Sequence, residues 1–334
     1  MISENLKERF CKDYSIPINL FSEPYFEERI KLMGYEDKYN DFVDMIQTKF
    51  NGNEQEYFEY YNKLKDTIIN YIKDSEVYND MQTAPIKDIQ PIRKSIINLG
   101  QSNVYKMNNV GEYFISIDMS KANFTSLVLY GLEHNLNFYP TNNYKHFMRE
   151  FTSIDYFAES KYIRQVIFGN CNPKRQVSYE NKIMWDLLNH LIDTKIVNPE
   201  NMYSICSDEI IIKVADEQTG LKLHNIIDNE LQSFPFGGIY KNELFQLGKF
   251  EGTEAYIKKY LAGTDKEYDL KCVNAVEAPF VYRCLQNKPY EMTDMVTKMN
   301  NRKVRLLEIP SIYLTYDKNI NNNKEQINDD IELT

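Results

Sequence analysis

The chain has 334 residues, room for two or three subdomains around a substantial core. Its 43% hydrophobic and 26% charged residues fit a soluble globular protein. The formal charge of −10 disfavours a chain that is basic throughout, yet a nucleic-acid groove needs only a local basic stripe.

No apolar run is long enough to span a bilayer, and MISENLKERF lacks the apolar core of a signal peptide. The sequence therefore predicts a soluble, intracellular (cytoplasmic) protein with no membrane partner. Five scattered cysteines without a CxxC pair argue against a disulfide framework and against a zinc site. Four histidines without HxH or HExxH spacing argue against a histidine metal centre.

From Glu23 to Asp74 apolar residues recur at helical spacing, with Asn51-Gly52-Asn53 as a turn. The segment Thr83–Pro91, with two prolines, marks a boundary. Short β-like runs follow at Tyr113–Ile117, Met202–Cys206, Ile210–Val214, Glu243–Phe250 and Leu270–Val273. Helical stretches lie between them at Lys121–Glu133, Ile154–Phe168 and Val177–Ile192. With an antiparallel hairpin at Met202–Val214, the predicted class is α+β. The tail Asp317–Thr334 holds five acids and two lysines with almost nothing to bury, and reads as disordered.

In YFISIDMSKANFTSLVL a β-run ends on Asp118 just before a helix. Taken alone, Asp118 also suits a helix N-cap, a duty Ser120 can share. In MYSICSDEIIIKV two β-runs flank Ser207-Asp208-Glu209, so two adjacent acids sit at a hairpin tip. A solvated turn explains the Asp, but Glu is not a preferred turn residue, and Gly or Asn is missing. Together the two segments give the pattern that two-metal nucleotidyl transfer requires: one acid at a strand end and another in a neighbouring hairpin. Mg²⁺ (or Mn²⁺) takes a few carboxylates and completes its shell with substrate phosphates. Between them, IDYFAESKYIRQVIFGNCNPKR puts Lys161 and Arg164 at i, i+3 on a helix that runs to Phe168 and then Lys174 and Arg175. A cationic helix face is suited to an incoming triphosphate, and equally to plain solvent.

These segments resemble a family. IDMSKANFTSLVL is similar to motif A of the family A DNA polymerases, CSDEIIIKV to their motif C, and RQVIFG to part of their fingers helix. The resemblance covers roughly Tyr113 to Val214. It implies Asp118 and Asp208 as catalytic metal ligands, joined by the Met119 backbone carbonyl, with Glu209 as auxiliary ligand or water-holder. It further implies nucleotide contacts from Arg164, Lys161, Ser120, Asn123 and Phe168. Asn123, Asn172 and Ser207 depart from the family's Glu, Tyr and His. After motif C, LGKFEGTEAYIKKYLAG resembles protein-primed family B polymerases, which implies Lys258, Lys259 and Tyr260 at the primer strand. Lys174 and Arg175 are further nucleic-acid candidates.

The implied architecture is a palm with helical fingers and a helical thumb-like N-terminal region. Its parts are residues 1–85 (thumb-like), 86–135 (palm), 136–195 (fingers), 196–316 (palm and C-terminal extension) and 317–334 (tail). The implied activity is addition of nucleotides to a 3′-hydroxyl, with DNA favoured as product. Nucleoside triphosphates, a primer and template, and replication proteins are the expected partners. Alternatives are a primase, RNA polymerase or template-independent enzyme, and a non-catalytic palm-like accessory subunit.

Overall fold

The computed structural model describes residues 2–93, 103–171, 173–234 and 237–317; Asn172 and the tail 318–334 lie outside them. In chain order the elements begin with α1 (Glu4–Tyr14), α2 (Tyr25–Leu32), α3 (Glu36–Phe50), α4 (Glu54–Asp74), α5 (Glu76–Thr83) and α6 (Ile86–Ile89). Next come β1 (Tyr113–Met119), α7 (Ala122–Glu133), α8 (Tyr144–Arg149), α9 (Asp155–Glu159), α10 (Lys161–Gly169) and α11 (Pro173–Asp193). Then follow β2 (Met202–Ile205), β3 (Glu209–Val214), α12 (Glu217–Ser233), β4 (Tyr240–Glu251), β5 (Tyr256–Ala262) and β6 (Tyr268–Lys271). The last are α13 (Ala278–Leu285), β7 (Val296–Met299), β8 (Arg302–Arg305) and β9 (Tyr313–Thr315). The class is α+β, with an antiparallel sheet and many helices.

The chain divides into two compact units, each assembled from three segments. The first joins Met1–Arg93, Met119–Leu187 and Tyr290–Ile309. It is mostly helical, and its helix ends follow from sequence. Asn51, at φ 53°, ends α3 in the left-handed region, and the Asn53 side chain caps α4 by accepting from the Gln55 and Glu56 N–H groups. The core is aromatic: Phe42 meets Tyr57 edge-on at 5.9 Å, and Tyr57 stacks on Phe157 at 5.6 Å. A buried polar knot stands beside it. Asp13 accepts from Arg9 (3.0 Å), the Tyr156 hydroxyl (2.5 Å) and the Ser160 hydroxyl (3.1 Å). Ser160 also caps α10 through the Ile163 N–H. The single helix expected over Ile154–Phe168 is therefore two, α9 and α10, because Ser160 offers its hydroxyl where a new helix starts. The β7–β8 hairpin, absent from the sequence reading, belongs to this unit. Asn19 donates to the Lys298 carbonyl (2.9 Å), and Arg29 donates to that of Val296.

The second unit joins Lys94–Asp118, Leu188–Pro289 and Pro310–Thr334. Its sheet runs β2-β3-β1-β4-β5-β6, with β9 also on β4. The β2–β3, β1–β3, β4–β5, β5–β6 and β4–β9 pairings are antiparallel. One face carries Phe114, Ile211, Phe245, Leu247 and Tyr256, covered by Val104 and Val110. On α12, a Cβ at Gly220 would stand 2.7 Å from the Leu244 side chain, so glycine permits that helix to press on β4. At one turn, Gly111 takes φ 82°, and a Cβ there would stand 2.3 Å from the Tyr316 carbonyl oxygen.

Candidate active site

The hairpin Met202–Val214 forms as expected, with β2 and β3 antiparallel and the turn closed by the Cys206 N–H donating to the Glu209 carbonyl at 2.8 Å. Neither Ser207 nor Asp208 has positive φ, so the turn needs no Gly or Asn, and their absence in sequence is explained. On its other edge β3 pairs with β1, and the register sets Asp118 opposite Glu209. Directly opposed residues share a sheet face at roughly 4.5–5.5 Å between Cα atoms. Asp118, at a strand end, thus comes beside the two acids of the tip.

Such a like-charge pair across strands is destabilising by itself. Asp118 registers the cost. Burial pushes its carboxyl up to about 6, and the charges of Asp208 and Glu209 push the same way. Lys241 opposes them, and Glu243 adds a smaller push. Glu209 is held differently. Its Oε1 accepts from the Ser116 hydroxyl at 2.6 Å and lies 3.5 Å from the Lys258 Nζ. Lys258 is only 4% exposed, and its ammonium lies 4.4 Å from the centre of the Phe245 ring. Leu247 is opposite Lys258 in the β4–β5 register, so the lysine crosses the sheet face from β5 to reach the acid on β3.

Several sequence expectations change here. Lys258, expected at a primer strand, is instead buried on Glu209. Lys258, Lys259 and Tyr260 cannot form one surface, because successive residues of a strand face opposite ways. Lys258 is buried while Lys259 is exposed, and Phe245 opposite Tyr260 puts that tyrosine on the Lys258 face. Burial raises the Tyr260 phenol above its ordinary range, and the acids Glu243 and Asp269 raise it further. Ser116, Lys241 and Glu243 were missed. No local signal marked the last two, because Lys241–Phe245 reads three polar residues and then two apolar ones without alternation, and the register shifts between Leu244 and Phe245.

The remaining candidates belong to the first unit. Lys161 is exposed at the start of α10, and the Arg164 guanidinium lies 5.6 Å from the centre of the Tyr144 ring. Phe168, expected at a nucleotide, is 2% exposed and fills the core instead. Arg175, expected at nucleic acid, donates to the backbone carbonyls of Met81 and Ala84, which ties α11 to the end of α5. Lys174 is exposed on α11. The Asn123 carbonyl accepts from the Gln176 amide, and that of Ser120 accepts from the Thr125 hydroxyl at 2.7 Å. Met119 ends β1 with its side chain buried.

Among the described residues, no group of three or more His, Cys, Asp or Glu side chains could by itself hold a metal ion. Nor is any helix among them long and apolar enough to cross a membrane. No protein-family model matches the chain, and neither does any curated protein or solved structure.

Proposed function

We propose that the protein is a nucleic-acid polymerase of the palm type, adding nucleotides to a 3′-hydroxyl by two-metal catalysis. One observation carries this reading: the β1–β3 register sets Asp118 opposite Glu209, and burial and then the charges of Asp208 and Glu209 raise its carboxyl. Such a concentration of negative charge is what a divalent cation relieves. Mg²⁺ needs only one or two carboxylates where substrate phosphates complete its shell, so the lack of a three-acid cage among the described residues fits a cation that arrives with nucleotide. Asp118 and Asp208 are the two carboxylates for that task. Glu209, whose Oε1 is engaged by Ser116 and Lys258, is the auxiliary ligand or water-holder. When bound, the ions would polarise the attacking 3′-oxygen and stabilise charge on the departing pyrophosphate.

The test is primer extension with Mg²⁺ or Mn²⁺, with and without template, and with deoxy- or ribonucleotides. Asp208→Asn keeps the size of the side chain and removes its charge. It should leave the melting temperature nearly unchanged, since Asn suits a turn as well as Asp does. Incorporation should fall by a factor of 10² or more, about 3 kcal/mol of transition-state stabilisation at roughly 1.4 kcal/mol per tenfold. Wild-type incorporation by folded Asp208→Asn protein would remove the reading. A folded wild type inert under every condition would favour the accessory-subunit alternative.

A further inference from the structure

The charge of the β7–β8 hairpin is out of keeping with the chain. Val296–Arg305 contains four cations (Lys298, Arg302, Lys303 and Arg305) and no acid, in a protein of net charge −10. The register sets Lys298 opposite Lys303 and Val296 opposite Arg305. Three cations therefore share one face of a two-stranded ribbon, and two of them oppose each other directly. Like charges so placed repel. Among the described residues, none of the four makes an ion pair with a carboxylate that would relieve the repulsion. Arg302, Lys303 and Arg305 are exposed. The Lys303 ammonium rests 4.2 Å from the centre of the Tyr25 ring, which orients the lysine without neutralising it. Lys298 lines an open cleft of about 570 Å³ with Asn19, Asn300 and Asn301 and with the ion pair Glu8–Lys12 (2.7 Å).

We infer that this hairpin is a nucleic-acid contact that grips the phosphate backbone without reading sequence. The choice of polyanion rests on the polymerase reading; the geometry adds the spacing. Residues two apart on a strand lie on one face about 6.6–6.8 Å apart. Lys303 and Arg305 can thus engage separate phosphates of one strand, and Lys298 adds a third cation across the ribbon. Each phosphate neutralised releases condensed counterions, so the contact has a salt signature.

The experiment measures fluorescence anisotropy of a labelled primer–template duplex and of single-stranded DNA between 50 and 200 mM salt. It compares the full-length protein with the triple variant Lys298→Gln/Lys303→Gln/Arg305→Gln. A second triple variant, Lys49→Gln/Lys63→Gln/Lys73→Gln, makes the same charge change at exposed lysines elsewhere in the first unit. All are also made in the Asp208→Asn background, so that binding is read without turnover. The hairpin variant should bind at least about tenfold more weakly at 50 mM salt. Its slope of log affinity against log salt should shrink by about two to three, at roughly 0.7–0.9 per lost phosphate contact. The control should match wild type, and all should melt within a few degrees of one another. Equal affinity and slope for the hairpin variant would overturn the inference and leave the polymerase reading to primer extension. So would a wild type that binds neither DNA probe. Sedimentation of wild type, but not of the hairpin variant, with phosphatidylserine vesicles and without DNA binding would also overturn it, in favour of a lipid surface.

Discussion

Ionising Asp118 works against folding. Its carboxyl titrates at about 6 in the folded chain against 3.8 ordinarily, because burial and then Asp208 and Glu209 disfavour the anion. A folded state that holds its proton more tightly loses stability as pH rises from about 4 to 6, and the loss is complete above that window. Two units correspond to about 3 kcal/mol at most. Partial exposure reduces this to about 1–2 kcal/mol. Asp118→Asn should therefore match wild type in melting temperature near pH 4 and exceed it at pH 8. Mg²⁺ added with a nucleoside triphosphate should raise the wild-type melting temperature at pH 8 more than the variant's, since the variant keeps Asp208 but loses one carboxylate ligand. Parallel pH profiles for the two proteins would show that Asp118 is not under this strain.

Local pattern reads well where one element decides its own shape. The turn Asn51–Asn53, the strand that carries Asp118 one residue before its end and the β2–β3 hairpin were legible because period and caps are short-range signals. The break at Ser160 was not, since a serine at helical spacing reads as a continuation until its partners are known. Ser160 accepts from the Ile163 N–H and donates to buried Asp13, so one hydroxyl both starts α10 and satisfies a carboxylate. Ser160→Ala should cost about 1–2 kcal/mol for the cap. A further roughly 1–3 kcal/mol follows from the weakened solvation of Asp13. Ser160→Thr, which keeps the hydroxyl, should recover most of this in denaturant titrations. An alanine variant as stable as wild type would mean that α10 starts for another reason. Strand β5 was misread for a related cause: three functional-looking residues in a row suggested one surface, whereas the pleat alternates them.

Long-range pairing is what no local pattern could supply. Lys258 meets Glu209 across the sheet, and the hairpin Val296–Arg305 packs on α2 near the other end of the chain. The two units are interleaved, each closing on a segment that follows Pro289. A chain shortened after Pro289 should fail in both. The first unit loses the Asn19 and Arg29 bonds to β7, and the second loses the β9 pairing with Lys249–Glu251. Limited proteolysis should then cut α1–α2 and the end of β4 alike; a shortened chain resisting at both places would contradict the interleaving. The register of β1 has a consequence for synthesis on the ribosome. Phe114, Ile115 and Ile117 are translated roughly 90 residues before β3, their sheet neighbour. At about 5–20 residues per second that interval lasts roughly 5–20 s. The strand that bears Asp118 thus emerges as an unpaired apolar edge, and a chaperone that shields nascent chains has those seconds in which to act.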